Sequence, residues 1–149
     1  MANLEFSREL SVPPREVFVF FVPQRMPLWY GIEMRAHFEV QGGASDFAVG
    51  QKVRITGILG TWEVALTAVT TAYQWERLLE WQFQDSYGVR GLQRWELESI
   101  PNGTRLKMRD SYRMPHLFGR IFDLAFTRFA VRQRDRDWLD RLQKLAERR

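Results

Sequence analysis

The chain has 149 residues, 45% of them apolar and 27% charged, with no cysteine and a formal net charge of +4. That length suits one domain with a substantial core, since a chain of this size hides about two-thirds of its unfolded surface. The lack of cysteine excludes a disulfide scaffold and a thiolate metal site, and no apolar run approaches the roughly 18 residues a membrane-spanning helix needs.

Met1 to Glu5 carries no basic or apolar leader pattern, so a cytoplasmic location is expected. The positive charge is unevenly placed. Residues 1–115 hold thirteen basic and thirteen acidic side chains, whereas the last 34 hold nine and five. Asp135, Asp137 and Asp140 are interleaved with the arginines of that last stretch and would interrupt a phosphate-binding stripe. A solvated helix face is the expected reading, and nucleic acid is not the expected partner.

Asn3 to Val12 alternates, with Leu4, Phe6, Leu10 and Val12 opposed to Glu5, Ser7, Glu9 and Ser11, the pattern of a half-buried strand. Arg8 is the misfit on its apolar side. Pro13-Pro14 ends the strand and opens a helix predicted from Pro14 to about Val22. Pro23 and Pro27 punctuate a second short helical segment, which runs into Leu28-Trp29-Tyr30-Gly31.

Alternation resumes over Glu33 to Gln41, followed by a Gly42-Gly43 loop. Gln51 to Leu59 is predicted as a strand with Val53, Ile55 and Gly57 on one side. Trp62 to Tyr73 is rich in Val and Thr and reads as a strand whose facing stays open, because both sides are partly apolar. Leu78 to Gln84 places Leu79, Trp81 and Phe83 on one face. Val89 to Ile100 places Trp95 and Leu97 on one face. Pro101-Asn102-Gly103 is a hairpin signal. Thr104 to Met114 sets Leu106, Met108, Asp110, Tyr112 and Met114 against Arg105, Lys107, Arg109, Ser111 and Arg113.

A long helix is predicted over about 116–147. Leu117, Ile121, Leu124, Val131, Trp138, Leu142 and Leu145 recur at helical spacing, and Arg128 and Asp135 interrupt the line. Phe118, Phe122, Ala125, Phe126 and Phe129 widen the apolar arc of its first half. The order is strand, two short helices, six strands, long helix. Six strands joined by short turns imply an antiparallel meander apolar on one face. The long helix is the element large enough to cover that face.

This arrangement resembles the START-like (SRPBCC) superfamily, the helix-grip fold of polyketide cyclases, lipid-transfer domains and a birch-pollen allergen. The matching details are the Pro13-Pro14-Arg15-Glu16-Val17-Phe18 helix entry, Trp29 after the second short helix, Asn102-Gly103-Thr104 at the last strand, and Leu139, Leu142 and Glu147 in the helix end. The resemblance spans nearly the whole chain. It implies an α+β helix-grip fold: a curved seven-stranded antiparallel sheet wrapped around a long C-terminal helix, in a single domain over residues 1–149. It further implies a cavity between sheet and helix that holds a small, largely hydrophobic molecule.

The ligand-binding residues expected on that basis are Trp29, Trp81, Trp95, Met108, Asp110, Tyr112, Phe118, Phe122, Ala125 and Phe129. For the tryptophans, core packing competes with a place in the cavity wall. Asp110 is a carboxylate on an apolar face, which is costly unless it is paired or hydrogen-bonded. It could pair with Arg8 or Arg128, orient the polar end of a ligand, or work with Tyr112 as acid and base in a cyclase, aromatase or dehydratase. No catalytic residue is assigned. A co-chaperone-like interaction module is a third possibility.

Only His37 and His116 are present, and no His/Asp/Glu spacing resembles a ligand set, so no metal is expected. No glycine loop cradles a phosphate and no nucleophile elbow is present, so no cofactor is called for. A monomer or homodimer is expected.

Overall fold

In the computed structural model, which describes residues 2–116 and 127–148, the alternating stretches join into one open, curved sheet. Its strands are β1 (Ala2–Leu10), β2 (His37–Val40), β3 (Lys52–Leu59), β4 (Trp62–Gln74), β5 (Leu78–Asp85), β6 (Arg90–Ile100) and β7 (Gly103–Arg113). All neighbours are antiparallel, in the order β1-β7-β6-β5-β4-β3-β2. The meander from β2 to β7 follows the chain, and β1 pairs with β7 from Ala2↔Tyr112 to Leu10↔Thr104. Because successive side chains point to opposite faces, Leu4, Val53, Ile55, Leu79, Trp81, Trp95, Leu106 and Met108 all fall on one buried face.

The first helix is shorter than its composition predicts. α1 covers Pro14–Phe18, and tighter turns follow, with Phe21 N–H donating to the Phe18 carbonyl at 2.9 Å. Pro23 disfavours helical backbone in the residue before it, which limits extension. Val17, Phe18 and Phe21 are nonetheless buried. The strand predicted over 33–41 is confined to β2. Ahead of it, Ile32–Met34 forms a 3₁₀ turn bounded by Gly31 and Arg35, at φ 68 and 52. The turn rests on β3 where Gly57 has no side chain: a Cβ there would lie 2.5 Å from Met34 Cγ.

The ambiguous facing of Trp62–Tyr73 has a structural cause. Leu66, Ala68 and Thr70 point inward, and a register shift between Thr70 and Ala72 then reverses the parity. Tyr73 consequently contacts Phe18 and Phe47. At the other end of the sheet, Gly103 begins β7 where a Cβ would meet the Leu10 carbonyl oxygen at 1.8 Å, so the approach of β1 requires glycine.

The C-terminal helix α2 is described over Arg128–Ala146. Trp138 and Leu142 are buried in the core shared with the sheet, as their spacing predicts, and Leu139 is buried beside them. Leu117, Phe118, Ile121, Phe122, Leu124, Ala125 and Phe126 lie outside the described residues. Phe129 departs from its expected burial and is 75% exposed. The reason is helical phase: it stands nine residues before Trp138, about two and a half turns, and so projects from the opposite side.

Candidate functional site

The alternation of β7 carries Asp110 inward between Met108 and Tyr112, and its exposure is 0%. Across from it, α2 supplies Arg134 and Asp135. Arg134 Nη2 donates to Asp110 Oδ2 at 3.0 Å and to Asp135 Oδ1 at 3.2 Å, and Arg134 Nε donates to Asp135 Oδ1 at 3.3 Å. The partner of Asp110 is therefore Arg134, not Arg8 or Arg128. Arg8 forms its ion pair with Asp140, on the outer part of α2.

Asp110 and Asp135 thus converge on one guanidinium nitrogen, while Asp110 Oδ1 and Asp135 Oδ2 have no hydrogen-bond partner among the described residues. Burial, and then the Asp110 charge beside it, push the Asp135 carboxyl up to about 9. The raised Asp135 carboxyl thus stays largely protonated at neutral pH beside the arginine cation. Burial works against that cation, but Asp135 and Asp110 outweigh it and raise Arg134 above its usual range.

Aromatic side chains enclose this polar cluster. The Arg134 guanidinium lies 4.4 Å from the centre of the Trp138 ring, a cation–π contact. The Trp138 indole N–H donates to Glu33 Oε2 at 2.7 Å, and its ring lies 4.2 Å from that of Tyr30. Tyr30 donates its hydroxyl proton to Gln93 Oε1 at 2.7 Å, and Trp81 Nε1 donates to the same oxygen at 2.9 Å. Gln93 stands opposite Asp110 on the neighbouring strand. Burial raises the Tyr30 hydroxyl well above the ordinary tyrosine range, so it remains a donor at any physiological pH.

The expected site residues divide into three groups. Asp110, Tyr112 and Met108 share the inward wall of β7. Trp29, Trp81 and Trp95 are each 0% exposed and pack on one another, with ring centres 5.8 Å apart for Trp29–Trp95 and 5.3 Å for Trp81–Trp95. Phe118, Phe122 and Ala125 lie outside the described residues, and Phe129, on the exposed side of α2, does not join the cluster.

Sequence reasoning missed Tyr30, Glu33, Gln93, Arg134 and Trp138 as site residues. Gln93 shares strand parity with Trp95, and Asp135 visibly breaks an apolar helical line. Arg134 carried no such mark among so many arginines. Among the described residues, no three His, Asp or Glu side chains are grouped to hold a metal ion, and no helix is long and apolar enough to cross a membrane.

The family model described as "Polyketide cyclase / dehydrase and lipid transport" matches residues 1–147. No curated protein sequence matches the chain. Among solved structures, a Mesorhizobium loti protein superposes with a TM-score of 0.76 at 18% identity, covering 99% of this chain and 98% of its own. A Chromobacterium violaceum protein gives 0.74 at 16% identity, with complete coverage of both chains. DynU16, from the dynemicin biosynthetic locus, gives 0.71 at 16% identity, covering 98% of this chain and 47% of its own. At these identities the structures establish a shared fold.

Proposed function

From the premise that the chain belongs to the polyketide cyclase / dehydrase and lipid transport family, we propose that it binds or carries a small, largely hydrophobic molecule between the inner face of the sheet and α2. One observation carries this reading. A charged cluster of Asp110, Arg134 and Asp135 is built into an otherwise aromatic interior. Apolar walls with a few convergent polar groups are the usual composition of a small-molecule site. The apolar surface supplies affinity and the polar groups fix orientation. Native mass spectrometry of freshly purified protein is expected to show a retained small molecule, released on denaturation. Protein that carries no such mass, and gains no thermal stability from a panel of lipids and aromatic polyketides, would refute the proposal.

A second reading, a cyclase- or dehydratase-type enzyme, draws on the Asp110–Asp135 pair. Asp135, raised and protonated, would serve as the acid and Asp110 beside it as the base, the requirement for moving a proton between carbon and oxygen. Turnover of a polyketide-like substrate that disappears in Asp110→Asn, with the fold intact, would favour this reading over simple carriage.

A further inference from the structure

The loop between β2 and β3, residues 41–51, is folded around one side chain. From Gln41 to Gly50 every residue is exposed except Phe47, which is 3% exposed. Its ring lies on the inner face of the sheet, 5.7 Å from the Trp81 ring and 6.0 Å from the Tyr73 ring, edge-to-face with both. Among the described residues, hydrogen bonds tie the loop to the strands only near its ends, Lys52 N–H to Gln41 Oε1 at 3.1 Å and Gly50 N–H to the Thr70 carbonyl at 2.8 Å. Gly42, Gly43 and Gly50 bracket Phe47 at φ 75, 66 and 85, backbone that glycine adopts without strain. Beside the ring, three buried oxygens have no hydrogen-bond partner among the described residues: Gln51 Oε1, Thr70 Oγ1 and Tyr73 Oη. Thr70 pairs across the sheet with Trp81, and Gln51 donates to the loop carbonyls of Asp46 and Ala48, which sets all three residues around Phe47.

We propose that Phe47 occupies a ligand subsite and is displaced from it: the loop swings outward about its glycines, and an aromatic ring bearing a hydroxyl group takes the place of the Phe47 ring between Trp81 and Tyr73. This rests on the reading that an apolar molecule binds at the inner face of the sheet. The Phe47 ring gives the shape of the group that fits, flat and apolar, between two aromatic walls. The unpaired oxygens give its polar edge. Gln51 Oε1 can only accept a hydrogen bond, whereas the Thr70 and Tyr73 hydroxyls can also donate one. A ligand hydroxyl does both and so pairs with either kind. A carboxylate has no proton to give Gln51, and a bare hydrocarbon leaves all three oxygens unpaired, as the phenylalanine ring does. Exchange of Phe47 for a hydroxylated ring therefore keeps the aromatic packing and satisfies polar atoms that are otherwise buried without partners. The positive-φ glycines at the ends of the loop are positions that can absorb the change in backbone direction.

The test titrates 2-naphthol, naphthalene and 2-naphthoate into the full chain carrying 4-fluorophenylalanine in place of Phe47, followed by ¹⁹F NMR. On saturation with 2-naphthol the fluorine resonance is expected to move to its position in urea-unfolded protein and to be broadened by a soluble gadolinium chelate. Naphthalene and 2-naphthoate should bind at least about tenfold more weakly, the difference made by one or two hydrogen bonds. In Thr70→Val and Tyr73→Phe that preference should shrink with no loss of thermal stability, because the hydroxyls removed have no partner in the free protein; a hydroxyl with a purely structural role would cost stability instead. Phe47→Ala, which removes the competing ring, should bind 2-naphthol about threefold or more tightly than wild type. Binding of 2-naphthol with the fluorine still buried, or weaker binding by folded Phe47→Ala, would overturn the displacement and leave apolar binding in place. Equal affinity for 2-naphthol and naphthalene would overturn the hydroxyl assignment. Failure of all three probes to bind would overturn the subsite, whereas the wider reading is decided by native mass spectrometry of the same protein, which detects a retained molecule whether or not Phe47 moves.

Discussion

Asp110 on β7 and Asp135 on α2 share one donor inside the protein: Arg134 Nη2 is hydrogen-bonded to both carboxyl groups. This contact ties the last strand of the sheet to the C-terminal helix through one cation. Like charges so close cannot both ionise cheaply, and with burial this raises the Asp135 carboxyl.

Substitutions in this triad should be unequal in cost. Asp135→Asn exchanges a carboxyl that is already protonated at neutral pH for a neutral group of similar shape, and should cost about 1 kcal/mol or less. The double change Asp110→Asn, Asp135→Asn leaves a buried guanidinium without a counter-charge and should cost about 3–5 kcal/mol. Urea denaturation at neutral pH measures both. Equal losses in the single and double variants would contradict this charge assignment.

The same pair predicts a pH dependence of defined sign. The Asp135 carboxyl lies at about 9 in the folded protein, against about 3.9 in an unfolded chain. Between those values the folded state binds the extra proton, so this group's stabilisation is lost as pH rises towards about 9. Its slope is at most about 1.4 kcal/mol per pH unit. Glu80, on the outer face, acts oppositely. Burial opposes its charge, but Thr71 and Arg94 outweigh that and hold it below the usual carboxylate range, so its contribution is lost in acid. Stability of wild type minus that of Asp135→Asn, measured by chemical denaturation from about pH 5 to about pH 8, isolates the first effect. A flat difference would argue against a protonated Asp135 in the folded state.

The two sides of α2 should respond differently to truncation. Trp138 is 2% exposed and Phe129 is 75% exposed. Trp138→Ala removes the ring under Arg134 and the donor to Glu33 and should cost about 3–5 kcal/mol. Phe129→Ser should change stability by no more than about 0.5 kcal/mol. Thermal melts of the pair decide the orientation of the helix, and a large loss at Phe129 would reverse it.

Gly103 should be among the least replaceable positions. Alanine there would place a Cβ against the Leu10 carbonyl at the point where β1 meets β7. Gly103→Ala should cost well over 1 kcal/mol, because strands must separate to admit it. Hydrogen exchange should show faster exchange of the Leu10–Thr104 end of the β1–β7 ladder than in wild type.

Much of the architecture was legible because it depends on periodicity. Alternation at Leu106, Met108, Asp110 and Tyr112 assigned the inner face of β7, and the spacing of Trp138 and Leu142 assigned the buried side of α2. Where local geometry broke the period, the reading was incomplete. The register shift after Thr70 mixed the faces of β4, and the left-handed residues Gly31 and Arg35 turned a predicted strand into a 3₁₀ turn. Phe129 shows the complementary error: hydrophobicity alone does not place a residue on the buried arc of a helix.

By itself the sequence determined the order of strands and helices, the inward position of Asp110, and the likeness to the helix-grip family. The partner of Asp110 was decided only by the tertiary structure. Arg134 is 24 residues away in sequence, and nothing in its neighbours distinguishes it from the other arginines of the helix. Side-chain direction along a strand follows from a two-residue repeat that can be read locally. The pairing of charges across a sheet–helix interface follows from helix phase and packing distance, which exist only once the two elements have been brought together.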